Sequence, residues 1–116
     1  MANADQVELM RIISPELAER AVDLTQRAGS SEFCFPLGDG ESVLAALLEA
    51  GVVPLGGDLW EVEDGEYFPT GESWYVNSIE GESVVDRVNR VGVAARSFFE
   101  VHRAVENGWV TFVVAV

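Results

Sequence analysis

The dipeptide Asp64-Gly65 stands between two runs rich in aromatic and β-branched residues, Leu59 to Glu63 before it and Glu66 to Phe68 after it. A dipeptide of this kind adopts the positive-φ turn whose twist suits two antiparallel strands, so a β-hairpin is expected here. Alternation along the first arm groups Trp60 with Val62 and turns Leu59 to the opposite face. Strand-like sequence extends from Val52 to Asn77, with a second break expected at Gly71.

On either side the hydrophobic period changes to that of helices. A short first helix is expected from Asp5 to Ile13, with Val7, Met10 and Ile13 as its apolar side. Ser14-Pro15-Glu16 then restarts the chain, since Ser14 can cap, Pro15 fits the first helical position and Glu16 faces the positive end of the dipole. Leu17, Ala21, Leu24 and Ala28 follow at helical spacing up to Gly29. Phe33-Cys34-Phe35 is a short apolar piece ended by Pro36. A third helix is expected after Asp39 as N-cap, carrying Val43, Leu44, Leu47 and Leu48, and closing at Gly51.

The longest helix is expected from Glu82 to Glu106, with Val84, Val88, Val91, Ala95, Phe98, His102 and Val105 down one face. Gly92 inside it costs about 1 kcal/mol relative to Ala, which suggests a close approach by another element. After Asn107-Gly108, the β-branched run from Trp109 to Val116 reads as a final strand covered on at least one face. The expected fold class is α+β: a small antiparallel sheet packed against helices, including one long C-terminal helix followed by a final strand. At 116 residues the chain has the size of one domain, 1–116.

No stretch approaches the roughly 18 consecutive apolar residues of a membrane span. The N-terminal sequence has neither the positive n-region nor the apolar h-region of a signal peptide, so a cytoplasmic location is expected. The single cysteine, Cys34, excludes an internal disulfide and a multi-cysteine zinc site.

Charge is distributed unevenly. Residues 28–86 hold thirteen acids and no basic residue, in a chain of 20 acids, 7 arginines and net charge −13. Residues 1–27 sum to −2 and residues 87–116 to +2. Such a field repels nucleic acid and anionic membrane and steers basic partners inward. A solvated surface that keeps the chain soluble has the same composition, and a salt-rich host also favours it.

Catalytic chemistry leaves little trace. The lone histidine, His102, lies on the apolar stripe of the long helix and reads as structural. Cys34, between two phenylalanines, reads as a buried inert thiol. Gly56-Gly57-Asp58 lacks the Gly-Lys-Ser/Thr of a phosphate loop and leads into a strand. The acidic block contains no alternating calcium loop. Glu61 and Glu63 share a strand face, as acid–base pairs do, but composition alone supplies such pairs. An enzyme is not expected, and neither is a cofactor or metal.

What stands out is aromatics set among acids. Asp58, Trp60, Glu61, Glu63, Asp64, Glu66, Glu72, Trp74 and Tyr75 are the candidate partner-binding residues, with Tyr67 and Phe68 in the same stretch. Alternation sends about half of these aromatics into the core. The outward ones, rimmed by carboxylates, have the make-up of an interface for a basic protein partner. Trp74 and Trp60 are the first candidates for exposed anchors.

The sequence Pro54-Leu55-Gly56-Gly57-Asp58-Leu59-Trp60, then Gly65, then Trp74-Tyr75 and a long closing helix resembles the immunity protein 40 family of bacterial polymorphic-toxin systems, over roughly residues 40–106. The resemblance implies a cytosolic antidote that binds a cognate toxin and blocks it. Many such toxins are nucleases with basic faces, which a carboxylate surface complements. It supplies no catalytic residues. The alternative from the residues alone is a general protein-interaction or regulatory module with a basic partner. Neither reading fixes the toxin or the oligomeric state.

Overall fold

The computed structural model describes residues 4–25 and 28–115. These form helices α1 (Ala4–Ile12), α2 (Pro15–Arg20), α3 (Gly40–Glu49) and α4 (Val84–His102), and strands β1 (Val22–Asp23), β2 (Phe33–Pro36), β3 (Gly56–Glu63), β4 (Glu66–Tyr75) and β5 (Gly108–Val113). All pairings are antiparallel, in the order β1-β2-β5-β3-β4, which leaves β1 and β4 as edges. The fold is α+β, with α4 leading into a final strand, as the sequence implies; the structure puts that strand at the centre of the sheet.

The helices cover one face of the sheet. Leu9, Leu44, Leu47, Val91 and Ala95 pack there with Phe35, Leu59, Val110 and Phe112 from the strands. Phe112 makes edge contacts with Phe35 at 6.2 Å and Phe99 at 6.1 Å, joining strand to strand and strand to α4. A smaller cluster of Leu24, Cys34 and Trp60 occupies the other face. Leu59 and Trp60 thus enter different cores, as alternation requires. Leu48 and Val88 are only half-buried, whereas Leu17, Leu24, Leu44, Leu47, Val91 and Phe98 are buried as expected.

Several helical expectations are corrected. α1 buries Gln6 and Leu9, and Ile13 is buried just past its end, while Val7 is exposed and Met10 half-buried. The Gln6 side chain donates to the Phe112 carbonyl at 2.8 Å and accepts from the Phe33 N–H at 3.0 Å. It does so one register step beyond the last β2–β5 pair, Cys34↔Thr111. α2 starts as read, with Ser14 capping Leu17 and Pro15 in its first turn, but ends at Arg20. Ala21 is extended, Val22 and Asp23 pair with Cys34 and Phe33, and Asp23 accepts from the Thr25 N–H at 2.9 Å. That local bond and the ladder together outcompete helix continuation. Asp39 makes no cap bond to α3; its carboxylate takes Arg20 Nε at 2.7 Å instead. α4 begins at Val84, capped by Ser83, and its first turn leaves Val84 and Val85 in solvent.

The β3–β4 hairpin turns through Asp64 (φ 52°) and Gly65 (φ 78°), and Glu63 pairs with Glu66. β4 does not break at Gly71 as expected. Pairing passes from Trp60↔Pro69 to Asp58↔Ser73, so Thr70, Gly71 and Glu72 stand against Leu59 alone. Gly71 takes φ 88° in this bulge. Thr70 holds it shut, its hydroxyl donating to the Leu59 carbonyl at 3.0 Å and accepting from the Glu72 N–H at 3.1 Å. The two extra residues preserve the alternation of faces along β4.

Candidate functional site

The hairpin carries every candidate partner-binding residue, but not on one surface. Cross-strand partners share a face, so the register sorts them. Glu61↔Phe68 and Glu63↔Glu66 lie on the helix side, beyond Leu59, where helix cover ends. Asp58↔Ser73, Trp60↔Pro69, Val62↔Tyr67 and Gly56↔Tyr75 lie on the other side. Asp64 is at the tip and Glu72 in the bulge; both are exposed.

Two expected anchors are buried. Trp60 is 7% exposed; it packs with Leu24 and Cys34, and its indole donates to Thr111 Oγ1 at 3.3 Å. Trp74, also 7% exposed, enters the helix-side core, and its indole N–H finds no acceptor among the described residues. Each face is covered where its tryptophan points, by Leu24 on one and by the helices on the other. The exposed aromatics are Tyr75, at 71%, and Phe68, at 48%. Phe68 was not among the candidates, although counting back from a two-residue turn places it opposite Glu61.

The carboxylates also separate into classes. Asp39, Glu41 and Glu82 of the acidic block are taken up by Arg20, Arg96 and Arg90, at 2.7, 2.8 and 2.8 Å. Arginines outside the block therefore fold back onto part of it. Glu61, Glu63, Asp64, Glu66 and Glu72 have no ion-pair partner among the described residues. An open hollow of about 330 Å³ on the hairpin is lined by Glu61, Glu63, Phe68, Pro69 and Thr70. A second hollow, by Gly38 and α4, contains Glu41 and Glu100 but brings its own Arg96 and Arg103.

On the other sheet face, burial pushes the Asp58 carboxyl above its ordinary value. Burial does the same to Glu32, where the Ser30 hydroxyl, donating at 3.0 Å, pulls back and the Asp58 charge pushes further. His102 is half-buried with its ring 4.5 Å from that of Phe98. Cys34 is buried. Among the described residues no group of three or more His, Cys, Asp or Glu side chains is placed to hold a metal ion, and no helix is long and apolar enough to cross a membrane.

A family model, immunity protein 40, matches residues 24–115. The chain belongs to the immunity protein 40 family. The match takes in β2 to β5, α3 and α4, and so the whole hairpin, and starts after α1 and α2. Membership in the immunity protein 40 family implies action against a toxin. Neither curated proteins nor solved structures gave a match to the chain.

Proposed function

We propose that this chain is the antidote to a cognate protein toxin in the cytoplasm of its host, acting by binding rather than catalysis, and that its acidic hairpin makes the contact. The observation that carries the site is the concentration of unpaired acids on the hairpin. Arginines neutralise Asp39, Glu41 and Glu82 on the body of the domain, whereas Glu61, Glu63, Asp64, Glu66 and Glu72 gather on one hairpin with no ion-pair partner among the described residues. Unpaired charge on a projecting hairpin steers an oppositely charged partner and sets specificity. A toxin with a basic active-site face, such as a nuclease, fits it.

The test is to search beside this chain's gene for a toxin-like domain and co-express the two. The wild-type protein should restore growth and co-purify with the toxin. The folded Glu61→Lys, Glu63→Lys, Glu66→Lys triple variant should associate at least about tenfold more slowly at low salt and lose most of its salt dependence. If on-rate and salt slope are unchanged in that variant, the hairpin acids are only a solvated surface.

A further inference from the structure

Phe35 and Phe112 are fully buried, yet Phe68 keeps 48% of its surface in solvent. It sits directly across the ladder from Glu61 and forms part of the hollow lined by Glu61, Glu63, Pro69 and Thr70. Two residues nearer the tip on the same face, Glu63 faces Glu66. Like charges directly opposite on a sheet repel, and no arginine among the described residues relieves this pair. The surface thus combines an aromatic floor, a carboxylate rim and an electrostatic cost that only a cation from outside removes.

We infer, on the reading that this chain binds a toxin, that this face receives an arginine side chain of the toxin. Its guanidinium lies on the Phe68 ring and donates to Glu61 and Glu63. The choice of arginine over lysine follows from shape. A guanidinium stacks flat on a ring while its N–H groups point outward in its own plane, toward carboxylates at the rim. An ammonium is a strongly hydrated point charge that gains less from an open, half-apolar site. The same arginine offsets the Glu63–Glu66 repulsion, so the hairpin is more stable in the complex than free.

The probe is the toxin domain identified by that co-expression, inactivated and titrated against folded variants whose thermal melts match the wild type. Phe68→Leu keeps apolar bulk but not the ring, and should speed dissociation about 30-fold, as loss of an interface anchor does. Phe68→Tyr should stay within about threefold of wild type, because the ring is kept. Val101→Ala, on the exposed side of α4, should leave both rates unchanged. One toxin Arg→Lys exchange should reproduce the Phe68→Leu loss and add nothing when combined with it. If the wild-type protein does not bind the toxin domain, the immunity reading fails and this inference with it. If the wild-type protein binds but Phe68→Leu binds equally well, or Val101→Ala is the damaging change, or no Arg→Lys exchange couples to Phe68, the inference is overturned and the immunity reading stands.

Discussion

Trp74 stands directly opposite Gly57 in the β3–β4 ladder, and its indole Nε1 lies 2.7 Å from where a Gly57 Cβ would be. The Thr111 carbonyl is nearer still to that point, at 2.3 Å. Gly57 is therefore a packing residue that lets a large indole lie flat across its neighbour. Gly57→Ala should cost about 1–3 kcal/mol through overpacking, and Trp74→Ala about 3–5 kcal/mol through the cavity it leaves. Denaturant titration measures both. A Trp74→Ala protein of unchanged stability that fails to bind toxin would return Trp74 to the interface.

Asp58 should oppose stability at neutral pH. Burial raises its carboxyl pKa in the folded state. Between the unfolded and folded values the native state holds more protons, so stability falls as pH rises through that window. Asp58→Asn should therefore be more stable than wild type at neutral pH and close to it at about pH 3, where the wild-type carboxyl is protonated. Asp23 and Glu82 run the other way, their carboxyls held down by bonds from Thr25 and Arg90. Both are common to the two proteins and cancel, so the difference between the pH–stability curves reports Asp58 together with the part of the Glu32 shift that its charge causes. An equal loss of stability at both pH values would mean that its carboxylate anchors the fold.

Gln6→Leu should be costly despite being a change to an apolar residue in a core. It removes the amide that satisfies the Phe112 carbonyl and the Phe33 N–H where the ladder opens. Leaving buried polar groups without partners costs about 1–3 kcal/mol each. Hydrogen exchange at the Phe33 amide should also accelerate. Unchanged protection there would show that another acceptor takes over.

Gly92→Ala should stabilise the protein by up to about 1 kcal/mol, the helix propensity difference. The close approach expected from sequence is not what occupies this position. An added Cβ would meet only Arg96 Nη1, at 2.7 Å, the free end of a flexible side chain. Arg96 pairs with Glu41 at the surface, where such a bridge contributes little. A lower denaturation midpoint for Gly92→Ala would mean that Arg96 cannot move aside.

Elements set by local chemistry were legible: the Asp64-Gly65 turn, the Ser14 cap, the stripe on α4 beyond its first turn and the strand after Asn107. Those set by distant pairing were not. Leu17, Ala21 and Leu24 keep helical spacing, but Val22 and Asp23 answer to Phe33 and Cys34, which no window on residues 15–28 contains. Ala28, the last residue of that spacing, lies beyond Gln26 and Arg27, which fall outside the described residues. The tryptophans illustrate the same limit. Alternation told Trp60 from Leu59, yet could not tell that Leu24 would cover one face of the sheet. Phe68 was within reach, because the turn fixes the register that seats it beside Glu61.

The bulge at Thr70–Glu72 has a consequence for crowding. β4 is an open sheet edge, and an open edge invites another copy to add its own strand. Here Pro69 has no N–H to offer, Gly71 throws the next residues out of line, and Glu66 and Glu72 bring like charge against like. A second molecule finds no continuous run to zip onto. The edge is thus built against strand addition by a second copy, the assembly route that an open sheet otherwise offers.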